Sequence, residues 1–298
     1  EYLVIFGVAI AGTYLLASIA RQSAQQLGAV AKVRDRDVHA IPTPYFGGPA
    51  ILGGLLVAYV VATSLPFLSG SENSVFSDVR AVLVGGSVIC LVGVIDDLFE
   101  LDALSKFAGQ VLAGVITVAM GLHFVYLPLP NTYLGLDQAQ AMILTVFLIV
   151  ATANAMNFVD GLDGLAAGMA AIGSFAFFVY AFVLAVENGE TRAVAAALLM
   201  ISLAGACVGI LPHNFFPARM FIGDSGSMLL GFVLACSAIS LTGQFPATSL
   251  SEGIGGSSSS LLPAAILPLI LPFAILTIPF LDMVMAVLRR TRAGRSPF

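Results

Sequence analysis

The sequence predicts an all-α, polytopic bundle of about nine membrane-spanning helices, and two observations support this: the composition and the spacing of the apolar runs. Of the 298 residues, 59% are hydrophobic and only 10% are charged. A soluble domain carries about a quarter charged residues, so the composition excludes an ordinary soluble protein. The formal net charge of -5 is spread over several loops. We therefore expect the bilayer as a partner and no nucleic acid.

Nine apolar runs approach the length that a helix needs to cross the hydrocarbon core, which is about 20 residues. These runs are residues 2–20, 46–67, 80–95, 105–125, 139–155, 164–186, 193–211, 226–242 and 261–288. The last run holds Pro263, Pro268, Pro272 and Pro279. Proline removes a backbone hydrogen bond, so we predict that this helix is kinked. No domain-sized insertion separates the runs, which predicts a single domain over residues 1–298.

Lys and Arg fix the expected orientation of these helices. If the chain starts outside, ten Lys and Arg residues fall on the inner side and two on the outer side. This asymmetry follows the positive-inside rule and predicts a plasma-membrane protein with residue 1 outside. Residues 126–137 then form an outer connection, whose sequence is compatible with a small extracytoplasmic hairpin.

Aspartates stand at three ends of the predicted helices, all on the inner side. Asp96 and Asp97 end the third run, Asp160 and Asp163 end the fifth, and Asp224 opens the eighth. Carboxylates beside hydrocarbon are costly, which makes them functional candidates. Adjacent carboxylates also need a compensating cation. Oxygen ligands without nearby His or Cys suit Mg²⁺ or Mn²⁺, which bind substrate phosphates as well.

Each polar candidate also has a purely structural interpretation. Asp224 is placed to cap a helix, and Asp163 precedes a glycine in a possible turn. Asn154, Asn157 and Asn214 have amides that suit a base or a ribose. Phe221 suits stacking on a base, although taken alone it favours a packing role. Convergence of three acidic sites on one face favours the functional interpretation.

Three motifs carry a resemblance to a known family. They are Asp-Asp at 96–97, Asn-Ala-Met-Asn-Phe-Val-Asp-Gly-Leu-Asp-Gly at 154–164, and Phe-Ile-Gly-Asp-Ser-Gly-Ser at 221–227. In these motifs the chain resembles the polyprenyl-phosphate N-acetylhexosamine-1-phosphate transferases. The resemblance implies a UDP-amino sugar donor and a polyprenyl phosphate acceptor, undecaprenyl or decaprenyl, with release of UMP at the cytoplasmic face.

The resemblance also implies roles for individual residues. It implies that Asp224 and Asp97 bind Mg²⁺, and that Asp96 and Asp97 handle the lipid phosphate as a base or as charge partners of the metal. It assigns Asp163 to the active site. Substrate binding falls to Asn157, Asp160, Asn214, Phe221, Lys106 and Thr43, the last of which opens the stretch Thr-Pro-Tyr-Phe-Gly-Gly at 43–48.

Within the family, the Gly-Asp-Ser-Gly-Ser spelling and the short 98–106 loop resemble the branch that uses UDP-N-acetylglucosamine for cell-envelope polysaccharide. UDP-N-acetylmuramoyl-pentapeptide stays open as an alternative donor, and a cation-coupled transporter or a non-catalytic relative as alternative functions. The family has a His-rich loop that would follow Phe298, so we expect a domain truncated before it. A homodimer also stays open.

Overall fold

The computed structural model describes residues 1–31, 42–69, 73–129, 132–188 and 191–242, together with positions 277, 281, 285 and 288–294. The described residues up to 242 form nine helices and one two-stranded sheet. The helices are α1 Tyr2–Leu27, α2 Gly47–Ala62, α3 Pro66–Ser69, α4 Asn73–Phe99, α5 Ala103–Ala119, α6 Gln138–Val159, α7 Leu165–Asn188, α8 Thr191–Asn214 and α9 Gly223–Thr242. The strands are β1 Tyr126–Leu129 and β2 Thr132–Gly135.

Among the described residues, six helices are long and apolar enough to cross a membrane: α1, α4, α6, α7, α8 and α9. The apolar helices α2 and α5 are shorter, at 16 and 17 residues. The chain is therefore a multi-pass membrane protein. Each of the first eight predicted runs overlaps a helix, but the run at 46–67 is broken into α2 and the start of the short α3. The ninth run, 261–288, and its four prolines lie almost entirely outside the described residues, so the total of nine and the kink stay predictions.

Several predicted helix boundaries differ from the structure, because a hydropathy pattern does not register where backbone hydrogen bonding stops. Helix α1 continues to Leu27, and α2 already ends at Ala62. The run at 80–95 belongs to a longer helix, α4, which ends where Glu100 adopts a positive φ of 51°. Asp96 and Asp97 therefore lie in the last turn of α4. The run at 105–125 ends early as α5, shortly before Gly121 turns the chain with a φ of 100°.

Helix α9 forms the centre of the bundle. In its most apolar stretch 94% of the residues are buried, against 28% in α1. A helix that is apolar on all sides is expected to be enclosed, and α9 packs against α2, α4, α6 and α8. The first turn of α9 is consequently surrounded by the ends of several helices.

Two glycines allow neighbouring helices to reach the backbone of α9 at that first turn. A Cβ atom at Gly48 of α2 or at Gly93 of α4 would overlap backbone atoms of Ser225. Both helices therefore touch α9 at a distance that a larger residue would not permit. This close approach fixes where the side chains of the first turn of α9 point.

The predicted hairpin is confirmed, since β1 and β2 pair antiparallel with Tyr126 opposite Gly135. Helix α6 follows it and begins with a capping box. Asp137 Oδ1 accepts a hydrogen bond from the Gln140 backbone N–H at 2.8 Å, and Gln140 Oε1 accepts one from the Asp137 N–H at 3.1 Å. With 22 residues, α6 is about 33 Å long, so the hairpin lies at the opposite end of the bundle from the α6 C-terminus.

Candidate active site

The two adjacent aspartates of α4 point in different directions, as expected for neighbouring positions on a helix. Asp97 points to the first turn of α9. Its Oδ1 accepts a hydrogen bond from the Asp224 backbone N–H at 2.8 Å, and its Oδ2 accepts one from the Ser225 N–H at 3.3 Å. Asp97 thus caps α9 from a neighbouring helix and satisfies two of its free N–H groups. The capping role that the sequence left open for Asp224 belongs to Asp97.

Asp96 faces α5 instead. Its Oδ1 accepts a hydrogen bond from the Leu101 N–H at 2.7 Å, and its Oδ2 lies 2.9 Å from Lys106 Nζ. Lys106 Nζ also contacts Asp224 Oδ2, so its ammonium group bridges two carboxylates from α4 and α9. The α5 helix is positioned for this contact by Asp102, whose side chain caps its first turn. The three side chains differ in exposure: 9% for Asp96, 18% for Lys106 and 33% for Asp224.

Asn157 closes the cluster from α6. Its Nδ2 donates to Asp224 Oδ1 at 2.7 Å and to Ser227 Oγ at 2.8 Å, which uses both hydrogens of the amide. Ser227 Oγ in turn donates to the carbonyl of Gly223 at 3.0 Å. The two oxygens of Asp224 therefore have different partners, an amide on one side and an ammonium group on the other. This holds the carboxylate in one orientation.

A pair of amides, one buried and one half-buried, lies one helical turn below this cluster, and sequence reasoning missed one of its members. Asn154 Nδ2 donates to Gln110 Oε1 at 2.6 Å, and Gln110 Nε2 donates back to Asn154 Oδ1 at 3.2 Å. Gln110 is only 1% exposed. A sequence signal for it exists: Gln110 is an amide inside an apolar run, four residues after Lys106.

Asp160 lies in the turn that follows α6 and is half-buried. Burial raises the pKa of Asp160 to about 7, and the negative charges of Asp224, Asp97 and Asp163 add to the increase. Carboxyl groups with a pKa near neutral pH are common in functional sites. The structure thus places Asp160 close enough to the cluster to respond to its charges.

Asp163 and Asn214 bind backbone atoms of nearby loops. Asp163 Oδ2 accepts a hydrogen bond from the Ala218 N–H at 2.9 Å. Asn214 is buried; its Oδ1 accepts from the Gly164 N–H and its Nδ2 donates to the Met220 carbonyl, each at 3.1 Å. The two side chains hold the turn after α6 against the segment that leads into α9. Their predicted contacts with substrate stay predictions.

Thr43 and Phe221 lie on a short backbone ladder beside the site. The Phe221 N–H donates to the Pro44 carbonyl at 2.8 Å, and the Ala31 N–H donates to the Thr43 carbonyl at 2.9 Å. The Phe221 ring is half-buried, and its centroid lies 6.0 Å from that of Tyr45 at an angle of 45°. The ladder holds both predicted substrate-binding residues next to the start of α9.

The electrostatic balance of the site is strongly negative. Asp96, Asp97, Asp160 and Asp224 contribute four carboxyl groups, and Lys106 is their cationic partner in the part of the chain that the structure describes. In that part, no three His, Cys, Asp or Glu side chains form a ready-made metal site. Mg²⁺ does not require one, because it is usually held by one or two carboxylates together with water and phosphate oxygens.

Comparisons with known proteins agree with the motifs that build the site. Residues 79–242 match the family described as glycosyl transferase family 4, and this range runs from within α4 to the end of α9. The chain is 43% identical over 291 residues to the decaprenyl-phosphate N-acetylglucosaminephosphotransferase of Mycobacterium tuberculosis, which covers 96% of this chain and 70% of the relative.

Two further relatives extend the comparison. The enzyme of the same name from Mycobacterium leprae is 42% identical over 291 residues, covering 96% of this chain and 71% of the relative. The phospho-N-acetylmuramoyl-pentapeptide-transferase of Desulforudis audaxviator is 33% identical over 264 residues, covering 80% of this chain and 75% of the relative. These identities and the matched range show that the chain belongs to glycosyl transferase family 4.

Proposed function

We propose that this enzyme transfers N-acetylglucosamine-1-phosphate from UDP-N-acetylglucosamine to a polyprenyl phosphate and releases UMP. The observation that carries the proposal is the convergence of Asp96, Lys106, Asn157 and Asp224 from four helices at the first turn of α9. In the reaction, a phosphate oxygen of the lipid forms a bond to the sugar-bearing phosphorus. The bond from that phosphorus to the oxygen of UMP breaks, and UMP leaves.

The chemistry asks the protein to hold several phosphates together and to balance their charge. The N-terminus of α9 favours an anion because its backbone dipoles point their positive ends there. Lys106 supplies an ammonium group beside it, which suits a phosphate oxygen. Either member of the α4 pair stays a candidate to receive a proton or pair with a cation, because both oxygens of each carboxylate already have one partner.

The donor set of the site suits Mg²⁺, or Mn²⁺ in its place. Asp224 is more exposed than Asp96 and would be the first ligand. Asp96 is its natural partner, since the Lys106 ammonium group already bridges the two carboxylates. Asp97, which the sequence predicted as a ligand, keeps a lone pair on each oxygen and stays a candidate. When bound, the ion would neutralise the diphosphate and stabilise the leaving phosphate.

The site is proposed to face the cytoplasm of a plasma-membrane protein. The support is the ten-to-two distribution of Lys and Arg, which places the start of α9 on the inner side. On this orientation the β1–β2 hairpin faces outward. Nine spans in total, a kinked last span and a homodimer remain part of the proposal.

The relatives favour N-acetylglucosamine over the muramoyl-pentapeptide as the sugar of the donor. Identity is 43% to a decaprenyl-phosphate N-acetylglucosaminephosphotransferase and 33% to a phospho-N-acetylmuramoyl-pentapeptide-transferase. The coverage of this chain falls from 96% to 80% between the two. We therefore propose that the product lipid begins a cell-envelope polysaccharide.

Release of UMP by the purified protein tests the function. We expect turnover with UDP-N-acetylglucosamine, a short polyprenyl phosphate and Mg²⁺, and none when the lipid or the metal is left out. Asp224→Asn should lower turnover by about a hundredfold or more, because it removes charge from the centre of the site. Asp137→Asn is the matched control, since asparagine also caps a helix and this residue lies at the far end of α6.

Two outcomes would refute the proposal. One is turnover with UDP-N-acetylmuramoyl-pentapeptide and none with UDP-N-acetylglucosamine, which would change the donor. The other is equal turnover of Asp224→Asn and Asp137→Asn, which would move the reaction away from α9.

A further inference from the structure

We propose that Gln110 is a positioning residue, which holds α5 in the register that lets Lys106 reach Asp224. This inference rests on the proposed function. The observation behind it is the amide pair formed by the buried Gln110 and the half-buried Asn154, together with a contact from Gln110 Nε2 to Met228 Sδ at 3.0 Å. Through these contacts one side chain of α5 meets both α6 and α9.

The contacts of α5, α6 and α9 form two layers. The upper layer contains Lys106, Asn157 and Asp224, and the lower layer contains Gln110 and Asn154 with Met228. Each helix contributes to both layers from positions three or four residues apart, which lie on one helix face. One turn of a helix rises about 5.4 Å, so fixing the lower layer also fixes the height of the upper one.

The environment of Gln110 explains why an amide there has a positional role. An apolar side chain of similar size would fill the same space without the cost of burying a polar group. The amide is tolerated because its partner reciprocates: Asn154 Nδ2 donates to Gln110 Oε1 at 2.6 Å and also to the Val150 carbonyl at 2.8 Å. These bonds have preferred directions, unlike apolar packing. A sliding or rotated α5 would break them.

The placement of α5 makes this constraint necessary. Helix α5 packs chiefly against α4 and α6, while Asp224 belongs to α9. Lys106 must therefore reach across to α9 from a helix that is not supported by close backbone packing against it. Gln110 contacts α9 through Met228 just below this point. An error of about 1 Å in the placement of a catalytic group can cost a hundredfold in rate.

The test compares Gln110→Met, Asn154→Leu and the double variant in the UMP-release assay, with melting temperature measured in parallel. We expect Gln110→Met to lower kcat by about ten- to a hundredfold with little change in the KM for UDP-N-acetylglucosamine. It should also melt at a lower temperature, because Asn154 loses its partner. The double variant should regain much of the melting temperature, since no buried amide is left unsatisfied. Its kcat should stay low.

Thr145→Val is the matched control on α6. Thr145 Oγ accepts a hydrogen bond from the buried Phe124 N–H at 3.1 Å, near the hairpin end of the helix. The variant should lose stability and keep its kcat. If Gln110→Met does not fold, the double variant carries the test.

Either of two results would overturn the inference: a wild-type kcat in Gln110→Met, or a kcat that returns together with stability in the double variant. The second would make the pair a stabilising contact only. Activity of the wild-type protein, measured in the same assay, separates these results from a failure of the proposed function.

Discussion

Both ends of α9 are tied to α4 by an aspartate, and the two ends differ in what surrounds that aspartate. At the first turn of α9, Asp97 accepts two backbone hydrogen bonds and lies in a cluster that includes Asp96 and Asp224. Near the last turn, Asp78 Oδ2 accepts a hydrogen bond from Ser240 Oγ at 2.7 Å. An aspartate of α4 therefore contacts α9 at both ends. Asp97 lies near other carboxylates, whereas Asp78 accepts a hydrogen bond from a hydroxyl group.

The difference shows that a carboxylate in apolar surroundings is not sufficient to mark an active site. The rule that intramembrane acids are functional would select Asp78 and Asp97 alike. Two further properties distinguish the Asp97 end. One is the excess, among the described residues, of negative charge over the ammonium group of Lys106, which would suit a dication. The other is the positive end of the α9 dipole, which favours phosphate and is absent at the Ser240 end.

The largest expected difference in turnover is between two single variants that carry the same substitution at opposite ends of α9, Asp97→Asn and Asp78→Asn. Asp97→Asn leaves one carbonyl oxygen to face two backbone N–H groups and removes the charge at the helix N-terminus. We expect turnover to fall by about a hundred- to a thousandfold. Asp78→Asn keeps an oxygen for Ser240 and should turn over at close to the wild-type rate. UMP release measures both.

A melting experiment shows whether the loss in Asp97→Asn is only a loss of folded protein. Three free cysteines are buried, so a thiol-reactive dye reports unfolding. Asp97→Asn should still melt cooperatively at a temperature where its activity is nearly absent. Equal losses of turnover in Asp78→Asn and Asp97→Asn would make the two ends equivalent and refute the comparison.

Much of the fold was predictable, because apolar length determines helices in a membrane. The runs at 139–155 and 193–211 correspond to α6 and α8, and the hairpin at 126–137 forms as expected. The grouping of Asp96, Asp97 and Asp224 was also predictable from alternation of the spans.

The partners of each side chain were less predictable, because they depend on helix rotation and on contacts between distant residues. Nothing near Asp97 in the sequence indicates that it caps α9, which lies more than a hundred residues away. The sequence predicts that the Asn214 amide contacts substrate, whereas in the structure it binds two backbone groups of adjacent loops. The role of Gln110 could not be predicted, because its hydrogen bond with Asn154 forms only when α5 and α6 pack side by side.

A smaller effect, of a different kind, is expected from Lys106→Met. The ammonium group of Lys106 bridges Asp96 and Asp224 where a dication would bind, so the two cations compete. Without it, the protein should bind Mn²⁺ about tenfold more tightly in the absence of substrate, which corresponds to ~1.4 kcal/mol. Turnover should nevertheless fall, because a cation for the phosphates is lost. Mn²⁺ titration followed by electron paramagnetic resonance measures the affinity.

Asp224→Asn is the matched control for Lys106→Met, and it should bind Mn²⁺ more weakly than the wild type. Weaker Mn²⁺ binding in Lys106→Met as well would mean that the ammonium group and the metal do not share a place. The cluster would then be an ion-pair network, and its contrast with the Asp78 end would lose its electrostatic basis.

The smallest effect concerns pH and tests whether the charge excess extends to Asp160. Because the pKa of Asp160 in the folded protein is raised to about 7, folded protein binds a proton that the unfolded chain releases above its ordinary pKa. Metal-free protein should therefore gain stability as the pH falls through 7, with a melting temperature that rises between about pH 8 and pH 6. Asp160→Asn should lack this part of the rise. Saturating Mg²⁺ should reduce it in the wild type, because a nearby dication favours the ionised carboxylate. If Asp160→Asn keeps the full rise, the proton is taken up elsewhere, and the negative field around α9 does not reach the turn after α6.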